Sequence, residues 1–321
     1  MLDTFKNLKE LLVNFGNDEQ KCREYLAQRR WNGNPQCVYC GHENPYVIEN
    51  GKRYKCRNKA CHKKFSVTVG TIFEDSNIPL STWFAAVYIC TSHKKGISSH
   101  QLGRDLGLTQ KTAWFLEHRI REMLKDKNPA LLKNHVEIDE TYIGGKEKNK
   151  HFDKKYKRNE FTAAEKRKLR TEEVLPHVDK IAVLGLVERN GKVIAQRVPN
   201  TRAYTILPII QDNVAKGTTM LTDEHYAYEG LKYREYTHKT IQHNLKIYVR
   251  GEVHTNTIEN FWSCLKRGLN GTYHHTSKKH LDRYLDEFCA RYNTRNLTEA
   301  DRFDNFLSQS AGRLTYANLI K

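Results

Sequence analysis

Three acids lie far apart in the chain, each where a predicted element could hold it still. Asp139 ends a predicted strand at 136–139, Asp223 ends another at 218–222, and Glu259 lies on a predicted helix at 255–268. Glu140 and Glu224 follow the two aspartates directly. Lys266 comes seven positions after Glu259, nearly two helical turns, so both side chains project from one face about 10 Å apart along the axis. Ile258, Trp262, Leu265 and Leu269 form a neighbouring apolar stripe that can pack on a sheet and aim Glu259 at the strand ends. Three carboxylates brought together without counter-charge would repel and resist ionisation. Two hard divalent cations, Mg2+ or Mn2+, would neutralise them and bind phosphate oxygens. Such a pair activates the attacking oxygen and stabilises the leaving oxygen of an in-line displacement at phosphorus. Against this stands the abundance of acids, 37 in all, most of which will be solvated surface groups.

The cysteines carry a second chemistry. Cys37 and Cys40 form a tight pair, and Cys56 and Cys61 form another fifteen residues on. Four thiolates at this spacing match a tetrahedral zinc ribbon holding one structural Zn2+. Four reduced cysteines in a core are the plainer alternative, but the flanking Lys and Asn residues suit a metal loop better than a core. The four-residue gap between Cys56 and Cys61 is longer than usual, and His62 is a possible substitute ligand. Zinc with four protein ligands leaves no open position, so this site should hold the fold together and not catalyse. Cys22, Cys90, Cys264 and Cys289 sit singly in helical patterns and read as ordinary buried thiols.

Residues 97–114 read as a helix-turn-helix, with Gly103 permitting close helix approach, Gly107 making the turn and Thr109 capping the second helix. Gln110, Lys111 and Thr112 would face bases. Ala113, Leu116, Ile120 and Leu124 would be buried, leaving Arg119 and Arg121 for phosphates. An ordinary helical hairpin shows the same pattern. The charge balance favours DNA: 54 Lys plus Arg against 37 Asp plus Glu leave +17, which points to a polyanionic partner, with an acidic membrane face as the weaker option.

These residues need elements to position them. A length of 321 residues suggests two or three domains. Apolar stretches fall well short of the ~18 to 20 residues of a spanning helix, which argues against an integral membrane protein. The first six residues lack the apolar core of a secretory signal, which points to an intracellular protein. Two short amphipathic helices are predicted before residue 30. A β-rich tract follows, with runs at 53–55 and 65–69, and then three helices between 80 and 132. Beyond residue 135 the pattern becomes strand, hairpin (181–187 and 193–198 about Asn190-Gly191), helix at 203–214, strand at 218–222 and two helices at 255–268 and 277–293, an α/β order. Between the first strand and the hairpin, residues 146–170 hold eleven Lys or Arg against four acids. This basic insertion could grip DNA phosphates or be a solvated loop.

The order of Cys37/Cys40 and Cys56/Cys61, Phe65-Ser66 with Gly70-Thr71-Ile72-Phe73, Ile138-Asp139-Glu140-Thr141-Tyr142-Ile143-Gly144-Gly145 and Thr222-Asp223 resembles the DDE transposases of bacterial insertion sequences related to the Merlin superfamily. The likeness continues through His254-Thr255-Asn256-Thr257-Ile258-Glu259-Asn260-Phe261-Trp262-Ser263, Leu265-Lys266-Arg267-Gly268 and Thr272-Tyr273-His274-His275, and it covers roughly residues 20 to 296. The first cysteine pair departs from the common zinc-ribbon pattern in having Val38 where proline is usual. The resemblance implies an RNase H-like catalytic domain with Asp139, Asp223 and Glu259 as the metal-binding triad, and Lys266, followed by Arg267, contacting DNA ends. Some relatives use Asn as the third ligand, which makes Asn260 the alternative. His254 and His274 could orient a phosphate or an acid, or make structural hydrogen bonds.

The fold expected is thus an α/β catalytic domain, RNase H-like with a mixed sheet flanked by helices, preceded by a β-rich zinc ribbon and an all-α helix-turn-helix domain. Its segments are N-terminal helices (1–30), zinc ribbon (31–76), helix-turn-helix (77–132), catalytic domain (133–300) and a C-terminal tail (301–321). The function expected is a transposase that binds terminal inverted repeats in double-stranded DNA, hydrolyses the phosphodiester at the element ends and joins the 3′-hydroxyls to target DNA. It would act as a homodimer or larger assembly in the bacterial cytoplasm, on the nucleoid when bound to DNA. The competing readings are a metal-dependent nuclease or resolvase without strand transfer, and a zinc-ribbon DNA-binding regulator with an inert catalytic layer.

Overall fold

Local capping starts the helices of the first part of the chain. Asn7 Oδ1 accepts from the Glu10 amide at 3.0 Å to open α1 (Leu8–Phe15), and Asp18 Oδ1 accepts from the Lys21 amide at 2.9 Å to open α2 (Glu19–Trp31). The computed structural model describes residues 5–145, 180–241 and 254–321. The basic insertion at 146–170 lies outside the described residues. Two units are defined, one comprising 1–127, 267–276 and 286–321, the other 128–266 and 277–285.

In the first unit, α1 and α2 precede a three-stranded antiparallel sheet of β1 (Tyr46–Ile48), β2 (Arg53–Lys55) and β3 (Lys64–Phe65). Helices α3 (Leu80–Ser92), α4 (Ser99–Leu106) and α5 (Gln110–Leu124) follow. The strand expected at 65–69 stops at Phe65, because the Val67 carbonyl turns to accept from Arg30 Nη1 at 2.6 Å. Ten residues of α3 are buried, which makes it the central helix of the unit. The segments expected as separate N-terminal, ribbon, helical and tail pieces share one core. Phe5, Phe15, Phe84 and Phe303 meet edge to face with centroids 5.3 to 6.4 Å apart. Phe303 belongs to α9 (Glu299–Ser308), so the expected tail is folded into this core and continues to α10 (Tyr316–Ile320). Helices as short as α1 and α4 need such shared burial to be stable.

The second unit is built on a five-stranded sheet in the order β6-β5-β4-β7-β8. Its strands are β4 (His135–Ile143), β5 (Ile181–Glu188), β6 (Val193–Val198), β7 (Thr219–Thr222) and β8 (Thr237–Thr240). The first three run antiparallel, and β7 and β8 lie parallel beyond β4. Helix α6 (Ala203–Asn213) and the 3-10 segment Tyr226–Tyr233 join Val136, Ile138, Leu184 and Leu186 in one core. By strand alternation Glu137, Asp139 and Gly185 point to the opposite face, where α7 (Asn256–Gly268) packs. Helix α8 (Leu281–Asn293) follows, and the unit division falls inside both α7 and α8. Strand β8, Thr-His-Lys-Thr, is a polar edge strand without apolar alternation, so no pattern announced it.

Candidate functional site

The centre of β4 organises the site. Antiparallel register sets Gly185 of β5 directly opposite Asp139, and a Cβ at Gly185 would collide with the Trp262 ring and lie 2.7 Å from Ile258 Cδ1. The missing side chain lets α7 come close, and Trp262 Nε1 donates to Asp139 Oδ2 at 3.0 Å. Burial pushes the Asp139 carboxyl up to about 6, and the negative charges of Asp223 and Glu259 add to the rise. The Glu140 amide and the Trp262 N–H pull the other way. Asp139 therefore feels the charges of acids from two other segments of the chain.

Asp223 follows β7, the parallel neighbour of β4, and its Oδ1 accepts from the His225 amide at 3.0 Å. Glu259 stands exposed in the first turn of α7 and accepts from Thr255 Oγ1 at 3.0 Å. Lys266 and Asn260 are exposed. At 100° per residue, Asn260 lies about 150° from the middle of the stripe formed by buried Ile258, Phe261, Trp262 and Leu265, whereas Glu259 and Lys266 flank the Trp262 edge. Among the described residues, these carboxylates are not drawn to the spacing that a single ion demands of three ligands.

Glu137 and Arg189 were not singled out in the sequence. Glu137, two residues before Asp139, is fully buried. Its Oε1 accepts from Arg189 Nε and Thr257 Oγ1, each at 2.8 Å, and its Oε2 accepts from the amides of Thr257 (2.8 Å) and Ile258 (3.0 Å). His254 Nδ1 stands 3.4 Å from Glu137 Oε1. Glu140 points to the other face beside the fully buried Tyr228, and burial, reinforced by Asp223 and Asp139, pushes its carboxyl up to about 7. The sequence held two signals: the two-residue spacing that puts Glu137 on the face of Asp139, and a glycine inside the apolar run at 181–187.

In the first unit the Sγ atoms of Cys37, Cys40, Cys56 and Cys61 all lie within 4.8 Å of one another. Cys37 and Cys61 are 3.8 Å apart and Cys40 and Cys56 3.5 Å, close to the about 3.8 Å edge of a tetrahedron with 2.3 Å zinc–sulfur bonds. Burial raises the Cys37 thiol, but hydrogen bonds from the Tyr39 and Cys40 amides bring it down to about 7, while burial pushes Cys56 up to about 12. The donor set fits structural zinc. His62 is exposed with a left-handed φ of 47° and lies outside the cluster, so it is not a substitute ligand.

Between α4 and α5, Gly107 is left-handed at φ 66°, Thr109 caps α5, and a Cβ on Gly103 would strike the Leu108 carbonyl. Ala113, Leu116, Ile120 and Leu124 are buried. Gln110 and Lys111 are exposed, with Gln110 Nε2 donating to Ser99 Oγ at 3.0 Å and Lys111 Nζ above the Tyr316 ring at 5.2 Å. The Thr112 hydroxyl is 2.8 Å from that of Thr109. Arg119 and Arg121 correct the expectation of phosphate contacts, since both are buried. Arg119 donates to the Glu74 carbonyl and lies over Trp83, and Arg121 pairs with Glu287 at 2.7 Å and Glu117 at 3.2 Å. Arg267 is exposed. His274 Nδ1 lies 3.2 Å from the Asn270 carbonyl, a structural partner.

An α/β domain on a mixed five-stranded sheet, in a chain that also carries a four-cysteine ribbon, agrees with the comparisons, which make this a DDE transposase with an N-terminal zinc ribbon. Residues 131–293 match the ISXO2-like transposase domain, and residues 17–64 match the transposase zinc-ribbon domain. A protein of Halobacterium salinarum, described as an uncharacterized protein in transposable element ISH50, is 31% identical over 279 residues, covering 85% of this chain and 90% of that protein. An uncharacterized transposase-like protein of Haemophilus influenzae is 33% identical over 102 residues, 32% of this chain and 81% of its own. The chain belongs to the ISXO2-like transposase family. Among the described residues no helix is long and apolar enough to cross a membrane.

Proposed function

We propose that this transposase binds the terminal inverted repeats of an insertion sequence, cleaves the DNA at the element ends and joins the 3′-hydroxyls to target DNA, with Asp139, Asp223 and Glu259 as the metal-binding acids. The observation that carries the reading is the raised Asp139 carboxyl, on which burial and the charges of both other acids converge. The strand order, three antiparallel strands followed by two parallel ones beyond the central strand, supports an RNase H-like domain. Two Mg2+ or Mn2+ ions held by these acids would supply an activated attacking oxygen and a stabilised leaving oxygen. Asp139, central and partly buried, would hold the ions together with Asp223 and Glu259. Asn260, on the far side of α7 from the packed stripe, is the weaker third ligand. Lys266 and Arg267 contact the DNA ends, while Gln110, Lys111 and Thr112, with the ribbon, read the repeats. Pairing two ends calls for a homodimer or larger assembly.

The test uses plasmid-borne ends and a supercoiled target with Mg2+. Asp139→Asn, Asp223→Asn and Glu259→Gln should each abolish cleavage and joining while leaving end binding intact, and Asn260→Ala should retain both. Cleavage without joined product would favour the nuclease reading. End binding with no reaction in the parent chain would favour the inert regulator.

A further inference from the structure

We propose that Glu137 is a positioning residue that clips the amino end of α7 to β4 and so sets where Glu259 stands relative to Asp139. This rests on the reading of Asp139, Asp223 and Glu259 as metal ligands and adds to it a residue that touches none of the reacting atoms. An ionised carboxylate buried without partners is strongly disfavoured, so a fully buried glutamate must have its charge answered locally. Here both oxygens are filled. Arg189 Nε and Thr257 Oγ1 donate to Oε1, and the amides of Thr257 and Ile258 donate to Oε2. Those amides are at the start of the helix, where the free N–H groups and the positive end of the macrodipole favour a negative charge. With its lone pairs so engaged, Glu137 is poorly placed to serve as a fourth metal ligand.

Its place in the chain gives the clip its consequence. Glu137 is two residues from Asp139 on the same face of β4, and the amides it binds belong to the two residues immediately before Glu259. Arg189 reinforces the anchor by donating to the His254 carbonyl at 2.9 Å, just ahead of the helix. One turn further on, the Trp262 to Asp139 hydrogen bond makes a second attachment. Two attachments about one turn apart fix both the slide and the rotation of α7, and Glu259 lies between them. A purely structural cap would affect stability alone, whereas a positioning residue must also change metal affinity.

The experiment is Mn2+ titration of the DNA-free, full-length protein by calorimetry, with hydrogen exchange at the Thr257 and Ile258 amides measured without added divalent cation. Glu137→Gln keeps the size but replaces an accepting oxygen with an NH2 group. It should weaken Mn2+ binding about tenfold or more, the range seen when groups supporting metal ligands are removed, and should speed exchange at both amides. Circular dichroism and zinc content confirm the fold. If Glu137→Gln does not fold, Thr257→Val, which removes only the hydroxyl donor, should still weaken Mn2+ binding two- to fivefold. Mn2+ affinity within twofold of the parent in the folded variant that is measured would overturn the proposal. Asp139→Asn separates the two levels. If it leaves Mn2+ binding unchanged, the metal reading fails and the clip's role with it. If it abolishes binding while Glu137→Gln does not weaken it, only the clip is refuted.

Discussion

Trp262 donates its indole N–H to Asp139 across a gap that exists because Gly185 has no side chain. Gly185 has an ordinary backbone conformation, so the requirement is space and not a positive φ. Gly185→Ala should force the ring and Ile258 away from β5. Overpacking of this kind costs about 1–3 kcal/mol, and the hydrogen bond to Asp139 should be lost with it. Denaturant unfolding would give the stability loss, and strand joining at saturating Mg2+ should fall by more than the folded fraction accounts for. A Gly185→Ala enzyme with unchanged unfolding and joining would show that the close approach is unnecessary.

Trp262→Phe isolates the hydrogen bond, since it retains an aromatic ring and removes the donor. The N–H favours the ionised form of Asp139, so its loss should raise the carboxyl further above about 6. On the proposed role of Asp139, metal binding requires its ionised form. The acid limb of the joining rate should therefore move to higher pH, with activity near pH 8.5 much less affected than at pH 6.5. An unshifted limb would mean that the indole does not tune this acid.

The raised acids also make a prediction about the metal-free protein. A carboxyl lifted from 3.8 to about 6 on folding binds its proton more tightly in the folded state. Its contribution to stability is full below the unfolded value and is lost as pH rises through about 6, because ionisation in the buried setting is penalised. Asp139→Asn should remove that penalty. Without divalent cations the variant should unfold at a higher temperature than the parent at pH 7.5, and the gain should vanish at pH 5. Adding Mg2+ at pH 7.5 should stabilise the parent more than the variant. A parent as stable as Asp139→Asn at pH 7.5 would place Asp139 in a more solvated setting.

The legible parts of this protein were those whose chemistry is local. Cys37/Cys40 and Cys56/Cys61 announce a metal module by spacing, and the amphipathic run at 255–268 places Glu259, Trp262 and Lys266 on neighbouring edges of one helix. Pairing across the chain was hidden. Arg121 looked solvent-facing beside the stripe of Leu116, Ile120 and Leu124, because the acid that draws it inward, Glu287, lies 166 residues away. The buried role of Glu137 depends in the same way on α7 arriving from 120 residues downstream. Polar β8 had no periodic signal, since it pairs by its backbone at the sheet edge beside Thr219–Thr222.

Zinc removal should act on the first unit. The ribbon has three strands of two or three residues and little apolar area beyond Tyr54, Phe65 and the adjoining Trp31, so the four thiolates carry much of its cohesion. Cys37→Ser, or a strong chelator, should release one equivalent of zinc and quicken amide exchange through residues 36–66. Specific binding to element ends should weaken with it. Protection in β4 and β5 of the second unit should persist. Loss of zinc without any change in ribbon exchange would show that the β hairpins hold themselves.

Glu287 provides the sharpest stability test, because it answers two buried guanidinium groups at once. Arg121 Nε donates to its Oε2 at 2.7 Å, Arg291 donates to Oε1, and the Tyr273 hydroxyl donates to Oε1 at 2.6 Å. Glu117 is a poor replacement for the missing charge, since burial pushes its carboxyl up to about 7 even with Arg121 alongside. Glu287→Gln would leave two buried cations facing one half-ionised acid. Breaking a buried ion pair from one side costs about 3–5 kcal/mol, and the loss should be larger at pH 6, where Glu117 is mostly protonated, than at pH 8.5. Urea unfolding at the two pH values measures both. By contrast Glu235→Gln, at the exposed pair with Lys216, should leave the urea midpoint where it is. Equal behaviour of the two variants would mean that water reaches the Arg121–Glu287 cluster.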